Sequence, residues 1–477
     1  MNDFTVRDES GEVAAGGFAD GAAARPEYGR EWRALLRIAV PVVLAELGWM
    51  SMTIIDMVMV GRLGPAAIGA VGVGNAVYYA PALFGVGILL GLDTLVSQAY
   101  GRGDFDECHR SLAQAIYVAL AYTPLCMAIV WAATFWFRSW GVTAEVAGLS
   151  GQYLRVLNLS TLPLLLYSAF RRYLQGVGRV RVVTFALISA NLFNWAGNWV
   201  LIYGKLGAPA LGVRGSALST LLARIYMTGV LVFAAWQHEA ERGHPLFRRW
   251  AGPQIERLRR LVGLGAPAAM QIVLEVGAFG GATVLAGRLE PAALAAHQVA
   301  LNWASISYMV PLGVSAAAAV SVGHAVGAGN GARARRAGWL GILTSVVFMS
   351  FSGLAFLLFA RQLVGVYSHD GAVLRLGVPL MGLAAAFQIF DGIQGVSTGA
   401  LRGLGDTRLP MYANLLGYWL FGLPLGYLLC FRAGWGVYGL WSGLSVALIL
   451  ISMIILRRWA RASRRLAAGM VGVGAGL

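Results

Sequence analysis

Long apolar stretches recur along the whole chain and are separated by short polar connections. Each stretch has about twenty residues or more, which is enough to cross a bilayer as an α-helix. A transmembrane β-barrel would instead show short segments of alternating polarity. The pattern therefore predicts an all-α polytopic membrane protein. The predicted spans are twelve, at 33–60, 68–99, 108–137, 145–174, 182–204, 212–237, 257–286, 294–325, 334–360, 370–400, 408–431 and 437–460.

Composition and charge agree with that pattern. The 477 residues are 58% hydrophobic and 12% charged, whereas soluble domains carry about 25% charged residues. The net charge is +15, and its arginines gather in every second connection. This alternation is the positive-inside rule, and it predicts that both termini are cytoplasmic. We expect no nucleic-acid partner, because the charges do not form one basic patch.

The two halves of the chain resemble each other. VGRLGPAAIGAVGV at 60–73 matches AGRLEPAALAAHQV at 286–299, an offset of 226 residues (287 − 61 = 226). The same offset relates Gln98 to His324, and GRGD at 101–104 to GAGN at 327–330. Because each half has six spans, both enter from the same side, and the repeat is parallel. The predicted division is a disordered cytoplasmic tail at 1–32, an N-lobe at 33–238, a cytoplasmic linker at 239–255, a C-lobe at 256–462 and a cytoplasmic tail at 463–477.

Five carboxylates lie inside the predicted spans, and they point to transport. They are Glu46, Asp56, Asp93, Glu275 and Asp391. A carboxylate within the membrane is costly, so its presence predicts a binding site, a proton relay or an ion path. We assign Glu46 and Asp93 less weight, since Asp93 lies near the cytoplasmic end of the second span.

Polar side chains surround these acids at helical spacing. In the tenth span Gln388, Asp391, Gln394 and Thr398 share one face, and in the fifth span Asn191, Asn194 and Asn198 do so. The other polar positions are Gln271, Glu275 and Thr283 in the seventh span, and His297, Gln298, Asn302 and Ser305 in the eighth. Such groups could hold Na⁺ through oxygen ligands or hold protons. The alternative is that they only hydrogen-bond neighbouring helices.

The interior basic residues, the known nucleotide motifs and the cysteines further limit the possible functions. The interior carries basic residues only at Arg155, Arg224 and Arg375, which together with the abundant aromatic side chains suits lipophilic organic cations. No phosphate-binding P-loop motif is present, so ATP drive by this chain is not expected. The cysteines, Cys108, Cys126 and Cys430, have no metal-binding spacing, and no cofactor is predicted.

Together, IIDMVMVGRLGPAAIGAVGVG, GLDTLVSQAYGRGD and FDGIQGVSTGALRGLGDTR resemble the multidrug and toxic compound extrusion (MATE) transporters, and their NorM-like branch in particular. The resemblance covers about residues 33–460. It implies a V-shaped pair of six-helix bundles of the MOP type, which opens alternately to each side. It implies that Glu275 and Asp391 are cation-site acids, that Asp56 is the family's first-span aspartate beside Asn194 and Asn198, and that Gln298 and Asp370 lie near substrate positions.

The fifth span has asparagines where some proton-driven members carry an aspartate. This difference favours Glu275 and Asp391 as the coupling pair, with Na⁺ or H⁺ as the ion.

We expect a monomeric antiporter of the bacterial inner membrane, not an enzyme, that exports amphiphilic cations and contacts only substrate and lipid. The candidate cavity residues are Gln271, Gln298, Asn302, Gln388, Gln394, Asn191, Glu46 and Asp370. The alternatives are a flippase or exporter of a lipid-linked or narrow-range metabolite, an intramembrane enzyme and a passive channel.

Overall fold

The computed structural model describes residues 28–137, 139, 141–242 and 252–469. The predicted tails and the predicted linker therefore lie wholly or partly outside the described residues. What is described is almost entirely helical. The helices are α1 (Tyr28–Gly61), α2 (Pro65–Ile88), α3 (Gly91–Gly101), α4 (Phe105–Thr134), α5 (Ala144–Leu157), α6 (Thr161–Gly176), α7 (Val180–Tyr203), α8 (Val213–Glu241), α9 (Ile255–Ala286), α10 (Pro291–Gly327), α11 (Gly331–Leu358), α12 (Ala360–Gly365), α13 (Gly371–Leu404), α14 (Arg408–Asn414), α15 (Leu423–Tyr427) and α16 (Val437–Ala467).

These helices follow the twelve predicted spans in order. Among the described residues, eleven helical stretches are long and apolar enough to cross a membrane, with α2 and α3 forming one stretch and residues 408–432 another. The fourth span is the exception, because a 3₁₀ turn at Asn158–Ser160 separates α5 from α6. Two π-helical turns, Leu415–Gly422 and Leu428–Arg432, interrupt the eleventh span.

Helix starts on the two halves use the same local chemistry. Asp104 caps α4 by accepting a hydrogen bond from the Glu107 amide at 3.0 Å. Asn330, 226 residues later (330 − 104 = 226), caps α11 by accepting from the Arg333 amide at 2.9 Å. Both side chains are strong N-caps because they satisfy amides that the first helical turn leaves unpaired. The repeat therefore persists in the local structure.

The first six spans (α1–α8) form one bundle, the N-lobe, and the last six (α9–α16) form the C-lobe. The lobes pack where α1 meets α10 and where α2 and α3 meet α9 and α10. Glycine permits the closest approaches: a methyl group on Gly87 would collide with Ala269, and one on Gly313 would collide with Val43. These two contacts are related by the repeat offset (313 − 87 = 226, 269 − 43 = 226). The interface between the lobes therefore has pseudo-two-fold symmetry.

The polar contacts between the lobes lie at one end of the molecule, where α1 begins and α16 finishes, which we call the termini end. Gln98 Nε2 donates to the Gly403 carbonyl at 2.9 Å, and His324 Nε2 donates to the Gly176 carbonyl at 2.6 Å. Ion pairs between Glu31 and Arg336 and between Glu107 and Arg257 join the lobes at the same end. Within the described residues, the hydrogen bonds and ion pairs that join α1–α8 to α9–α16 gather here. The lobes are thus closed at the termini end.

Candidate functional site

The five acids predicted within the spans fall into two classes. Glu46 forms an ion pair with Arg171, and Asp93 lies 3.5 Å from Arg172 Nη1 and 3.1 Å from Arg402 Nε. The other acids, Asp56, Glu275 and Asp391, form no ion pair with a basic side chain of the described residues. An acid that lacks a basic partner inside the membrane is free to hold a proton or a cation. This separates the three acids that lack a basic partner from the two that form ion pairs.

Glu275 on α9 is the centre of an amide cluster in the C-lobe. Its Oε2 accepts hydrogen bonds from Gln394 Nε2 and from Asn414 Nδ2, each at 3.2 Å. Gln394 also donates to Asn414 Oδ1 at 3.4 Å and accepts from the Tyr418 hydroxyl at 3.2 Å. Three spans therefore converge on one half-buried carboxylate. Oxygen atoms from amide, hydroxyl and carboxylate groups are the ligands that hard cations prefer.

Asp391 lies on the same face of α13, one turn before Gln394. Its side chain is buried, with 8% of its surface exposed. No side chain among the described residues hydrogen-bonds to it, and Glu275 is near enough to interact with it electrostatically. Two like-charged carboxylates that interact in this way repel each other unless a cation or a proton compensates the charge. Gln394, which lies one turn from Asp391 and donates to Glu275, links both acids to one polar cluster.

Asn414 and Tyr418 were missed by the sequence reasoning. The eleventh span reads as uniformly apolar around them, and a lone amide there carried little signal. The structure places both on the stretch where α14 passes into the π-helical turn. Such turns rotate the side chains that follow them and are frequent at functional sites.

Asp56 on α1 is the centre of a second cluster, in the N-lobe. Its Oδ1 accepts from Asn198 Nδ2 at 2.6 Å, and its Oδ2 accepts from the Thr220 hydroxyl at 3.1 Å. Asn198 also donates to Asn194 Oδ1 at 3.2 Å. The predicted contact of Asp56 with the fifth-span asparagines is therefore present. Thr220 on α8 was missed by the sequence reasoning, although Ser216, Thr220 and Arg224 recur at helical spacing.

Arg224 lies one turn beyond Thr220 on α8 and is a buried cation of the N-lobe. Its Nη1 donates to the Tyr78 hydroxyl and to Ser160 Oγ, both at 2.6 Å. The guanidinium lies 5.1 Å from the centre of the Tyr78 ring. It forms no ion pair with an acid of the described residues, but it interacts electrostatically with Asp56.

The expectation that interior basic residues are limited to Arg155, Arg224 and Arg375 was wrong. Arg171 and Arg402 are buried, with 6% and 8% of their surfaces exposed. They belong to connections that the positive-inside count treated as loops, but α6 and α13 continue through them. Their charges are matched by Glu46 and Asp93.

Other candidate cavity residues make contacts that hold helices together. Gln388 exchanges hydrogen bonds with Ser307 and donates to Ser352 at 3.3 Å, which joins α13 to α10 and α11. Asn191 donates to the carbonyls of Gly48 and Leu187. Asp370 caps α13 by accepting from the Ala372 amide at 2.6 Å.

The last three candidate cavity residues differ in exposure. Gln271 is buried on α9, one turn before Glu275, Gln298 is half-buried, and Asn302 is exposed. Among the described residues no three His, Cys, Asp or Glu side chains converge as a metal site would require. A cation in the C-lobe would therefore depend on amide and hydroxyl oxygens beside Glu275 and Asp391.

Comparison with known proteins agrees with this architecture. The model of the MatE family matches residues 41–200 and 267–428. The chain belongs to the MATE family. The two matched segments begin 226 residues apart (267 − 41 = 226), which is the offset of the internal repeat.

Curated relatives match nearly end to end. The probable multidrug resistance protein NorM of Mesorhizobium japonicum is 35% identical over 458 residues, which is 93% of this chain and 97% of the relative. The multidrug resistance protein PmpM of Pseudomonas aeruginosa is 34% identical over 446 residues, which is 91% of this chain and 92% of that protein.

Solved structures of the MATE family share the fold. The eukaryotic MATE transporter AtDTX14 superposes with a TM-score of 0.79 at 21% identity, covering 93% of this chain and all of that one (100%). A MATE transporter of the MOP superfamily in an outward-facing conformation superposes with a TM-score of 0.84 at 17% identity, covering 92% of this chain and 97% of that one. The two-bundle, all-helical architecture predicted from sequence is confirmed.

Proposed function

We propose that this MATE protein is a secondary active antiporter that exports amphiphilic organic cations in exchange for Na⁺ or H⁺. The observation that carries the proposal is the Glu275–Asp391 pair, two carboxylates of the C-lobe that interact electrostatically and have no basic partner among the described residues. Such a pair attracts a cation from either side of the membrane. Relatives named as multidrug resistance proteins support an organic cargo.

The cycle follows from competition for negative charge. A coupling ion that enters down its gradient occupies Glu275 and Asp391, and Asp56 provides a second site in the N-lobe. Because an ion shifts a conformational equilibrium only by its differential affinity for the two states, loading must favour one closure of the lobes over the other. Organic substrate and ion then exclude each other electrostatically. Aromatic side chains in the interior support binding of the cationic cargo.

The chemistry of the interior disfavours the alternatives. A flippase for pyrophosphate-linked lipids needs accessible basic groups, whereas Arg171 and Arg402 are paired with acids. Arg224 lacks an acidic partner among the described residues, but it is buried and donates to the Tyr78 hydroxyl. An enzyme needs a base beside a nucleophile. His297 Nδ1 accepts from the Trp441 indole at 3.0 Å, so its proton is on Nε2 and points at the Thr283 hydroxyl, where the ring cannot act as a base. We therefore propose a transporter without enzymatic activity.

The proposed orientation in the membrane follows from the distribution of charged residues. Arginine-rich connections lie at the termini end, so we propose that this end faces the cytoplasm of a bacterial inner membrane. In that orientation the structure corresponds to an outward-facing state. We propose that the monomer is the working unit, with lipid and a small cation as its partners.

Efflux of ethidium from proteoliposomes tests the proposal. A Na⁺ gradient and a pH gradient are imposed separately on wild type, Asp391→Asn and Asp104→Asn. Asp104→Asn is the matched control, because asparagine caps α4 as well as aspartate does and already performs that task at position 330. We expect gradient-driven efflux in wild type and in the control, and its loss in Asp391→Asn. Equal efflux in all three proteins would contradict the mechanism.

A further inference from the structure

Among the described residues, the ion pair between Asp93 and Arg402 crosses the interface between the lobes and is buried on both sides. Asp93 on α3 of the N-lobe lies 3.1 Å from Arg402 on α13 of the C-lobe. Asp93 is almost completely buried, with 1% of its surface exposed. Beside it, the Thr94 hydroxyl donates to the backbone carbonyl of Arg402. The two lobes are thus tied by charge where α3 meets the end of α13.

This ion pair has no counterpart on the other side of the pseudo-two-fold axis. The repeat relates Asp93 to Ala319 (319 − 93 = 226), which carries no charge. Farther along each half the offset is 227, since YLQGVGRVR at 173–181 matches ALRGLGDTR at 400–408, and it relates Arg402 to the uncharged Gln175 (402 − 175 = 227). The nearby hydrogen bonds of Gln98 and His324, by contrast, occur on both sides of the axis. Among the described residues, the buried ion pair between Asp93 and Arg402 therefore has no symmetry mate.

Asp93 has a second partner, which belongs to its own lobe. Arg172 on α6 places Nη1 3.5 Å from the same carboxylate oxygen, Oδ2. If the lobes separated at the termini end, Asp93 would keep Arg172 and Arg402 would move into water. Neither charge would then be buried without compensation, which is the costly outcome when an interior ion pair breaks.

The bond between Asp93 and Arg402 is also weakly directional. Neither carboxylate oxygen of Asp93 nor Nε of Arg402 has a partner with good hydrogen-bond geometry. The contact therefore depends on charge at short range more than on aligned donors. Such a contact breaks and re-forms at lower cost than a bidentate, fully hydrogen-bonded pair.

We propose that Asp93 is a gating residue of the transport cycle. Its pairing with Arg402 stabilises the state that is closed at the termini end, and its retention by Arg172 permits the opposite state. The meaning of the gate for transport rests on the proposed alternating access. The ion pair itself affects the equilibrium between the states that are closed and open at the termini end. That equilibrium can be measured without substrate or coupling ion.

Distances between spin labels on the two lobes test the proposal. Arg181→Cys and Arg408→Cys place labels at exposed, repeat-related positions of α7 and α14 at the termini end. The native cysteines, Cys108, Cys126 and Cys430, are buried and leave the background low. In lipid nanodiscs we expect one short distance for this labelled protein. Asp93→Asn and Arg402→Gln should each add a longer distance, with the open-to-closed ratio raised about tenfold or more.

Controls make the result decisive. Asp406→Asn breaks the 2.7 Å ion pair with Arg458, which lies near the same end but within the C-lobe, and it should leave the distances unchanged. Arg402→Lys keeps the charge and should keep the short distance. The double variant Asp93→Asn/Arg402→Gln should shift the ratio no more than either single variant does. Unchanged distances in both single variants, a shift in the Asp406 control, or additive effects in the double variant would each overturn the proposal.

Discussion

His324 donates a hydrogen bond through Nε2 to the backbone carbonyl of Gly176, at 2.6 Å, across the interface between the lobes. The repeat relates this contact to the one between Gln98 and Gly403, at 2.9 Å. An imidazole and an amide thus perform the same task on the two sides of one axis. Each bond ends on a glycine in the last turn of the fourth span of a half. Equivalent positions therefore join the two lobes on both sides of the axis.

Substitution of His324 tests whether the hydrogen bond to the Gly176 carbonyl is the only stabilising contribution of this side chain. His324→Gln should preserve the bond, because a glutamine donates to a glycine carbonyl at the repeat-related position. His324→Leu should leave the Gly176 carbonyl without a partner, at a cost of about 1–3 kcal/mol. Thermal unfolding of the purified protein measures the difference. Equal destabilisation by both replacements would show that the ring, and not its N–H group, is required.

Glycine at the crossing of α3 and α10 is required by space. A methyl group at Gly101 would collide with the backbone carbonyl of His324. We expect Gly101→Ala to lower stability by about 1–3 kcal/mol, as overpacking does. Gly148→Ala is the control, since nothing lies within 4 Å of a Cβ at Gly148 on α5, and alanine is favoured over glycine in a helix. A stable Gly101→Ala protein with unaltered spacing of the lobes would contradict the close packing.

Sequence patterns were sufficient to predict the architecture and to find the acids that lie within the spans. Apolar length predicted the spans, and the matched segments predicted the pseudo-symmetry that Gly87 and Gly313 display. Partners were harder to predict, because hydrophobic periodicity says which face of a helix is polar but not what that face meets. Asp93 and Glu46 were given less weight than Asp56, but the basic side chains that pair with them were not predicted. Asn414, a lone amide among apolar neighbours, carried no periodic signal, whereas Thr220 lies four residues from Ser216 and from Arg224, a helical spacing that was missed.

Substitution of Asp370 can distinguish a helix-capping role from a position near substrate. If its role is to cap α13, Asp370→Ala should destabilise the protein by about 1 kcal/mol, and Asp370→Asn should not. Ethidium efflux should be equal in wild type and Asp370→Asn. A selective loss of efflux in Asp370→Asn, with stability intact, would instead support the substrate position that the family resemblance implies.

The N-lobe cluster can be tested at Thr220 with small changes. Thr220→Val keeps the shape of the side chain but removes the hydroxyl that donates to Asp56. If Asp56 loads an ion, the lost donor should change the ion dependence of efflux several-fold while leaving the amount of folded protein similar. Thr220→Ser retains the hydroxyl and serves as the control. Identical ion dependence in the valine and serine variants would remove Asp56 from the coupling mechanism.

Tyr418 offers the sharpest test of the C-lobe cluster, because one atom distinguishes the variants. Its hydroxyl donates to Gln394 Oε1, which orients the amide so that Nε2 faces Glu275. In Tyr418→Phe the Gln394 amide loses the donor that fixes which of its two polar atoms faces Glu275. We therefore expect the ion concentration that supports half-maximal efflux to change several-fold with little change in unfolding temperature.

The control for Tyr418→Phe is Tyr438→Phe, which removes a hydroxyl that donates to the Leu376 carbonyl in the same lobe. That hydroxyl bonds to backbone and contacts neither acid. If both tyrosine variants change ion dependence equally, the effect comes from general loosening of the C-lobe. If only Tyr418→Phe does, the orientation of Gln394 sets the affinity of Glu275 for the coupling ion, and a residue outside the predicted polar stripes belongs to the site.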